Sequence, residues 1–257
     1  MIFDTHCHLD SADFDGDREQ ILNDMETRGF TPCVVVGADM PSSRSSRALA
    51  AARPWLYWAA GVHPHDADTY TDEAHAELLS MMGEAKCVAW GEIGLDYHYD
   101  LSPRETQREV FARQLDAACE IGKPLILHIR EAHGDTTDIL RARRGKLPQG
   151  VVHCYSGSVE QAKIYLDMGF YLGFDGPLTF KKAPKLCEAA RFCPAERMLV
   201  ETDSPYMSPE PLRGRRNDPR NTEYIARKLA EIRGETFEQI CKTTRENGMR
   251  LFGIRET

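Results

Sequence analysis

The sequence predicts an α/β fold, a single (β/α)8 TIM barrel. Three observations predict it: short apolar, β-branched runs recur eight times, stretches with helical periodicity separate them, and the 257 residues match the roughly 250 that such a barrel uses. A doubly wound sheet is the competing architecture, and it would usually place a glycine-rich phosphate loop after its first strand. None follows Ile2 to His6. No low-complexity linker or break in composition marks a second domain, so residues 1–257 are expected to form one.

The first strand is read over Ile2 to His6, followed by a helix over Asp17 to Thr27, and the second over Cys33 to Val36, followed by Ser43 to Ala52. Leu56 to Gly61 is the third strand; its helix, Asp72 to Met82, opens with acids after Thr71, where the helix dipole favours them. The fourth strand, Cys87 to Glu92, leads to a helix over Pro103 to Ile121. Ser102, Pro103 and Glu105 form a capping-box pattern at its start, and Gly122 ends it. Pro124 to His128 and Val151 to His153 are the fifth and sixth strands, with helices over Thr136 to Arg143 and Val159 to Met168, the latter stopped by Gly169. Phe170 to Phe174, a helix over Ala183 to Phe192, and Met198 to Glu201 complete the eight strands. A loop rich in proline, arginine and glycine, Ser204 to Arg220, precedes helices over Asn221 to Ile232 and Phe237 to Phe252.

Composition excludes several function classes. Thirty-two basic against forty acidic residues give a net charge of −8, so a general nucleic-acid coat is not expected. Any nucleic acid must be held by local patches or metal ions. The longest apolar stretch, Trp55 to Val62, is far shorter than the roughly 18 to 20 residues a bilayer span needs, so no membrane association is expected. The N-terminus enters Ile2-Phe3-Asp4-Thr5-His6-Cys7-His8 at once and lacks the pattern of a secretory signal. Eight cysteines without a C-x-x-C spacing, mostly inside apolar stretches, read as small buried hydrophobes in a reducing, cytoplasmic compartment.

The chemistry gathers at strand ends. His6 and His8 fall at strand one, Glu92 at strand four, His128 at strand five, His153 at strand six and Asp203 at strand eight. In a barrel these ends converge on one mouth. Side chains alternate along a strand, so the two residues of His6-Cys7-His8 that flank the cysteine face one side and can reach one ion. The alternative, independent core histidines and two acids, buries carboxylates without cations, which is costly. Six ligands exceed one tetrahedral ion and suit two divalent ions that share a carboxylate. The simplest allocation gives His6, His8 and Asp203 to one ion, His128 and His153 to the other, and Glu92 to both.

These residues lie in longer motifs. Asp4-Thr5-His6-Cys7-His8, Gly61-Val62-His63-Pro64-His65, Gly91-Glu92-Ile93-Gly94-Leu95-Asp96-Tyr97, His128-Ile129-Arg130, His153-Cys154-Tyr155-Ser156-Gly157, Glu201-Thr202-Asp203-Ser204-Pro205-Tyr206 and Pro211 to Pro219 occur in the order found in TatD-related metal-dependent hydrolases. The chain resembles that family from residue 4 to about residue 250, with Tyr155 and Ser204 where Phe and Ala are more usual. The resemblance implies an amidohydrolase-like barrel and, since many members are deoxyribonucleases, hydrolysis of phosphodiester bonds in single-stranded DNA from the 3′ end. Two ions suit that reaction, whether zinc, magnesium or manganese. Asp203 is the candidate ligand and proton acceptor, with Glu92 as the bridging catalytic carboxylate.

Substrate contacts are expected from His63, Arg130, Tyr155 and Arg215, with Tyr206 as a further stacking residue. Each has a structural alternative: a His-Pro turn for His63, an ion pair with Glu131 for Arg130, and packing for the tyrosines. Asp4 and Glu201 share a face with the downstream ligands and either orient them or hydrogen-bond structurally. Lys181-Lys182 and Arg213 to Arg216 fall at the mouth, whereas Arg141 to Lys146 complements a helix end. His75, His98 and His133 read as surface residues without partners. Two other functions compete: hydrolysis of a small amide, ester or lactone, which needs an enclosed apolar pocket, and a metal-stabilised binding protein without turnover. No obligate protein partner is evident.

Overall fold

The computed structural model describes residues 1–255. Eight strands form one all-parallel sheet in sequence order: β1 (Asp4–Cys7), β2 (Cys33–Val36), β3 (Leu56–Ala60), β4 (Cys87–Asp96), β5 (Leu125–Arg130), β6 (Gly150–Val152), β7 (Tyr171–Phe174) and β8 (Met198–Val200). The helices between them are α1 (Arg18–Arg28), α2 (Met40–Ala51), α3 (Asp72–Met82), α4 (Arg104–Ile121), α5 (His133–Arg141), α6 (Val159–Asp167) and α7 (Pro184–Phe192). After β8 come α8 (Thr222–Arg233) and α9 (Phe237–Phe252). The expected barrel is therefore present, with each helix within a few residues of its predicted place.

The sheet meets itself where β8 returns to β1. Thr5 Oγ1 donates to the Val200 carbonyl at 3.1 Å, and the Thr202 N–H and hydroxyl donate to the Asp4 carboxylate at 3.0 and 2.6 Å. Beyond the strand ends, Asp203 N–H donates to His6 O at 2.9 Å and His8 N–H to Ser204 O at 2.7 Å. This seam sets side by side the two segments that carry His6, His8 and Asp203.

Two apolar layers result from strand alternation. Val34, Val36, Ala59, Ala89, Ile126, Val151, Tyr171 and Leu199 fill the barrel, joined by Phe3, Leu251 and Phe252. Cys33, Val35, Leu56, Trp58, Trp90, Leu125, Leu127 and Val200 face the helices. The Asn247 side chain of α9 donates to the carbonyls of Ala195 and Met198, fixing that helix beside the start of β8.

Local capping explains several helix ends and corrects one expectation. Thr71 accepts from Ala74 N–H at the start of α3, Ser158 and Gln161 form a capping box on α6, and Gly122 ends α4 in the left-handed conformation. The expected capping box at Ser102 does not form. Pro103 itself precedes the first turn without a side-chain cap, and Ser102 Oγ instead donates to His65 O at 2.8 Å. That bond ties the loop after β3 to the loop after β4.

Candidate metal centre

The central side chain arrives through an irregularity. Trp90 pairs with Leu125 but Ile93 with Leu127, so β4 carries one extra residue there, a bulge that re-aims side chains. Glu92 was expected to end its strand; β4 in fact continues to Asp96, with Glu92 at the bulge and 3% exposed. Gly94, at φ +150°, lets β4 close on β5, because a Cβ there would lie 1.9 Å from His128 O.

The two oxygens of Glu92 face different histidines. Oε1 lies 2.9 Å from His128 Nδ1, 3.0 Å from His153 Nε2 and 3.6 Å from His63 Nε2. Oε2 lies 3.4 Å from His6 Nε2 and 3.9 Å from His8 Nε2. His6 and His8 do share a face, their Nε2 atoms 3.2 Å apart. Asp203, just past β8 at φ +54°, places Oδ1 3.3 Å from His8 Nε2 and 3.7 Å from His6 Nε2. All six residues named from the sequence thus meet in one place, with Glu92 between two sets of rings; His153 also stacks on His6 at 3.9 Å and groups with it and Glu201.

The far sides of two rings are held by hydrogen bonds, while His6 Nδ1 is buried without a partner. His8 Nδ1 donates to Val36 O at 2.8 Å, and His128 Nε2 lies 3.0 Å from Asp96 Oδ2. His65 Nε2 reaches that same Asp96 oxygen at 2.9 Å. His153 Nδ1 lies 3.3 Å from Glu201 Oε1, and Gly173 leaves the space for that carboxylate: a Cβ there would sit 2.4 Å from it. Glu201 is therefore placed to orient His153, whereas Asp4 bonds the backbone of His6 and Thr202 and belongs to the seam.

The electrostatics of the cluster suit a cation. Burial would raise the Glu92 and Asp203 carboxyls, but the surrounding histidines hold both below the usual range. Burial opposes charge on His8 as well; its hydrogen bond to Asp203 outweighs this and pushes the ring up to about 9. Burial, with neighbouring rings, keeps His6 and His63 low and hence neutral; the lone pair of His63 Nδ1 is taken by the His65 N–H at 3.1 Å. Asp175, at the end of β7, has fewer such neighbours, and burial pushes its carboxyl up to about 8. No Lys or Arg is among the buried residues of the described chain, so ring protons supply the positive charge here, a place that a divalent ion would take on binding. Imidazole nitrogens around a carboxylate suit zinc, and carboxylate-rich sets also take magnesium or manganese.

The sequence profile of TatD related DNases matches residues 3–253. The chain belongs to the TatD-related DNase family. It is 41% identical over 254 residues to a Bacillus subtilis protein named uncharacterized metal-dependent hydrolase YabD, covering 99% of this chain and 100% of that one. It is 37% identical to the Pectobacterium atrosepticum protein named 3′-5′ ssDNA/RNA exonuclease TatD, over 98% of this chain and 100% of that one. Among solved structures, YJJV, a TatD homologue from Escherichia coli K12, superposes with a TM-score of 0.92 at 31% identity, covering 99% of this chain and 98% of that one. The TatD-related chain is a metal-dependent hydrolase.

Around this TatD-type centre the rim departs from expectation in several places. Tyr155 was expected to stack bases, but it is 1% exposed, donates to Ser158 O and packs on Phe174, so its ring is closed to substrate. Exposed Tyr206 stands 6.1 Å from the His8 ring, and Tyr99, which sequence reasoning passed over, carries Arg130 on its face at 4.8 Å. Glu131 is not the partner of Arg130; it binds His98 at 2.8 Å. His63 is 7% exposed and lies among the clustered histidines rather than out on the rim, where it caps the His-Pro turn as its structural alternative foresaw. His75 and His133 are not bare surface residues either: each is half-buried and bonded to a tyrosine hydroxyl, Tyr70 at 2.6 Å and Tyr165 at 2.8 Å.

Lys181, Lys182, Lys185 and Arg213 line a cleft of about 780 Å³ with Ser156 and Phe180, beside the mouth. Arg215 is exposed next to it, while Arg216 turns away to pair with Asp17 at 2.6 Å.

Asp96 and His65 were also missed: Asp96 lies beyond the end predicted for the fourth strand, and His65 sits in the 3-10 turn Pro64–Thr69 that follows β3, where strand alternation gives no signal. Asp96→Asn is expected to weaken metal affinity about 10- to 100-fold, since it orients His128. Competition titration with a chromophoric chelator checks this, and an unchanged affinity contradicts it.

Proposed function

We propose that the chain is a two-metal phosphodiesterase, one catalytic domain over residues 1–257, that removes nucleotides from the 3′ end of single-stranded DNA. The observation that carries the reading is the two-sided placement of Glu92, with His128 and His153 on one oxygen and His6 and His8 on the other. In this reading His6, His8 and Asp203 hold one ion, His128 and His153 the other, and Glu92 lies between them, with His63 beside the second group. Two divalent ions, when bound, supply an activated water and neutralise charge building on the phosphate. Asp203, 8% exposed and reachable from the mouth, accepts the proton of the attacking water.

The rim supports a polyanionic strand over a small neutral amide or lactone. Arg130, Arg213, Arg215, Lys181, Lys182 and Lys185 fall on the loops of the mouth, and none forms an ion pair within 4 Å among the described residues, although Glu210 lines the same cleft. Tyr99 and Tyr206, 53% and 57% exposed, offer faces for bases, a sequence-tolerant grip on single strands. Relatives named 3′-5′ ssDNA/RNA exonuclease support both the substrate class and the direction. All eight cysteines are free thiols, as suits the cytoplasm.

Oligonucleotides labelled at either end test this reading. Early release of a 3′ label with a ladder from the 5′ label is expected; release of the 5′ label first reverses the direction. Replacing Lys181, Lys182 and Arg215 together with alanine is expected to raise KM for single-stranded DNA about tenfold while kcat stays within about twofold. The salt dependence should flatten, its slope falling by roughly 0.7 for each phosphate that the variant no longer neutralises. An unchanged KM and salt slope would place the strand elsewhere.

A further inference from the structure

We propose a further cation site beside the paired centre, built by Cys154, Asp175 and Asp203 and selective for a thiophilic divalent ion such as zinc over magnesium. It rests on the two-ion reading only in sharing Asp203. Ligand atoms of the three residues lie within 4.8 Å of one another, close enough for one ion to bind all three.

An independent observation points to a ligand there. Asp175, the first residue after β7, is 1% exposed, and neither carboxylate oxygen has a hydrogen-bond partner. Other buried acids at the strand ends are satisfied: Asp4 by Thr202 and the His6 N–H, Asp96 by His65, His128 and the N–H groups of His98 and Tyr99, and Glu201 by the Cys154 N–H. An uncompensated buried carboxylate is costly, and cations are the usual remedy.

Charge balance points the same way. The buried acids are Asp4, Glu92, Asp96, Asp175, Glu201 and Asp203, with no buried Lys or Arg among the described residues. A divalent ion bound here would supply the counter-charge that lets Asp175 ionise. Sulfur selects the ion, since thiolate suits zinc or cobalt and magnesium takes oxygen ligands. Cys7 and Cys33 also approach an acid, Asp4, but its oxygens are already engaged.

Metal-free protein loaded with cobalt tests the site without recourse to activity. A thiolate donor gives a near-ultraviolet charge-transfer band, which histidine and carboxylate donors do not. The band is expected in the wild type and in Cys7→Ser and absent in Cys154→Ser. Asp175→Asn is expected to bind one zinc equivalent fewer than wild type, and wild type loaded with magnesium one ion fewer than with zinc. A band that survives Cys154→Ser, or unchanged zinc content in Asp175→Asn, overturns the proposal. Two zinc equivalents with no band overturn this site and leave the paired centre standing. A Cys154-dependent band with fewer than three zinc equivalents supports this site and overturns the two-ion reading.

Discussion

In the manganese-loaded protein, Glu92→Ala is expected to reduce metal content from two ions to one and to lower turnover by about 10³-fold or more. The side chain lies within 4 Å of five histidines, and its oxygens divide them into two groups. Removing it withdraws a ligand from both ions and leaves the facing rings without a counter-charge. A thousandfold loss corresponds to about 4 kcal/mol of transition-state stabilisation, within what a lost metal ion withdraws. Metal analysis of the purified variant, alongside its kcat, checks the result. His128→Ala is expected to lose the same single ion, because its Nδ1 approaches the same Glu92 oxygen as His153. Unchanged metal content in both variants contradicts the allocation.

Asp203→Asn separates binding from proton transfer. The amide keeps the size of the side chain and one oxygen donor, but it cannot accept a proton from water at neutral pH. Turnover is expected to fall by about 10²- to 10⁴-fold, the range of a lost general base, while some metal remains bound through His6, His8 and Glu92. Measuring kcat at saturating metal distinguishes the two effects: recovery of full activity at high metal removes Asp203 from proton transfer.

The barrel was legible because eight strands each carry an apolar run and each is followed by helical periodicity, and no tertiary effect overrode that pattern. His6 and His8 were legible because period two puts both on one face. Glu92 was placed at the mouth correctly, but β4 runs four residues further, since a bulge preserves pairing where strict alternation predicts an end. Asp96 was hidden by that same boundary. Tyr155 misled because an aromatic in a mouth loop carries no signal of direction, and the structure turns it inward onto Phe174. Asp175 sits one residue beyond β7, in the position class of His153 and Asp203, yet a lone acid without a motif gave no reason to single it out.

Activity as a function of bound metal tests the central claim most directly. Metal-free protein is titrated with Mn²⁺, an ion of oxygen and nitrogen ligands, while cleavage of a 3′-labelled single strand is followed. The account predicts no cleavage without metal, little at the first equivalent and full activity as the second ion binds. Full activity at one equivalent, or cleavage in the presence of chelator, contradicts it.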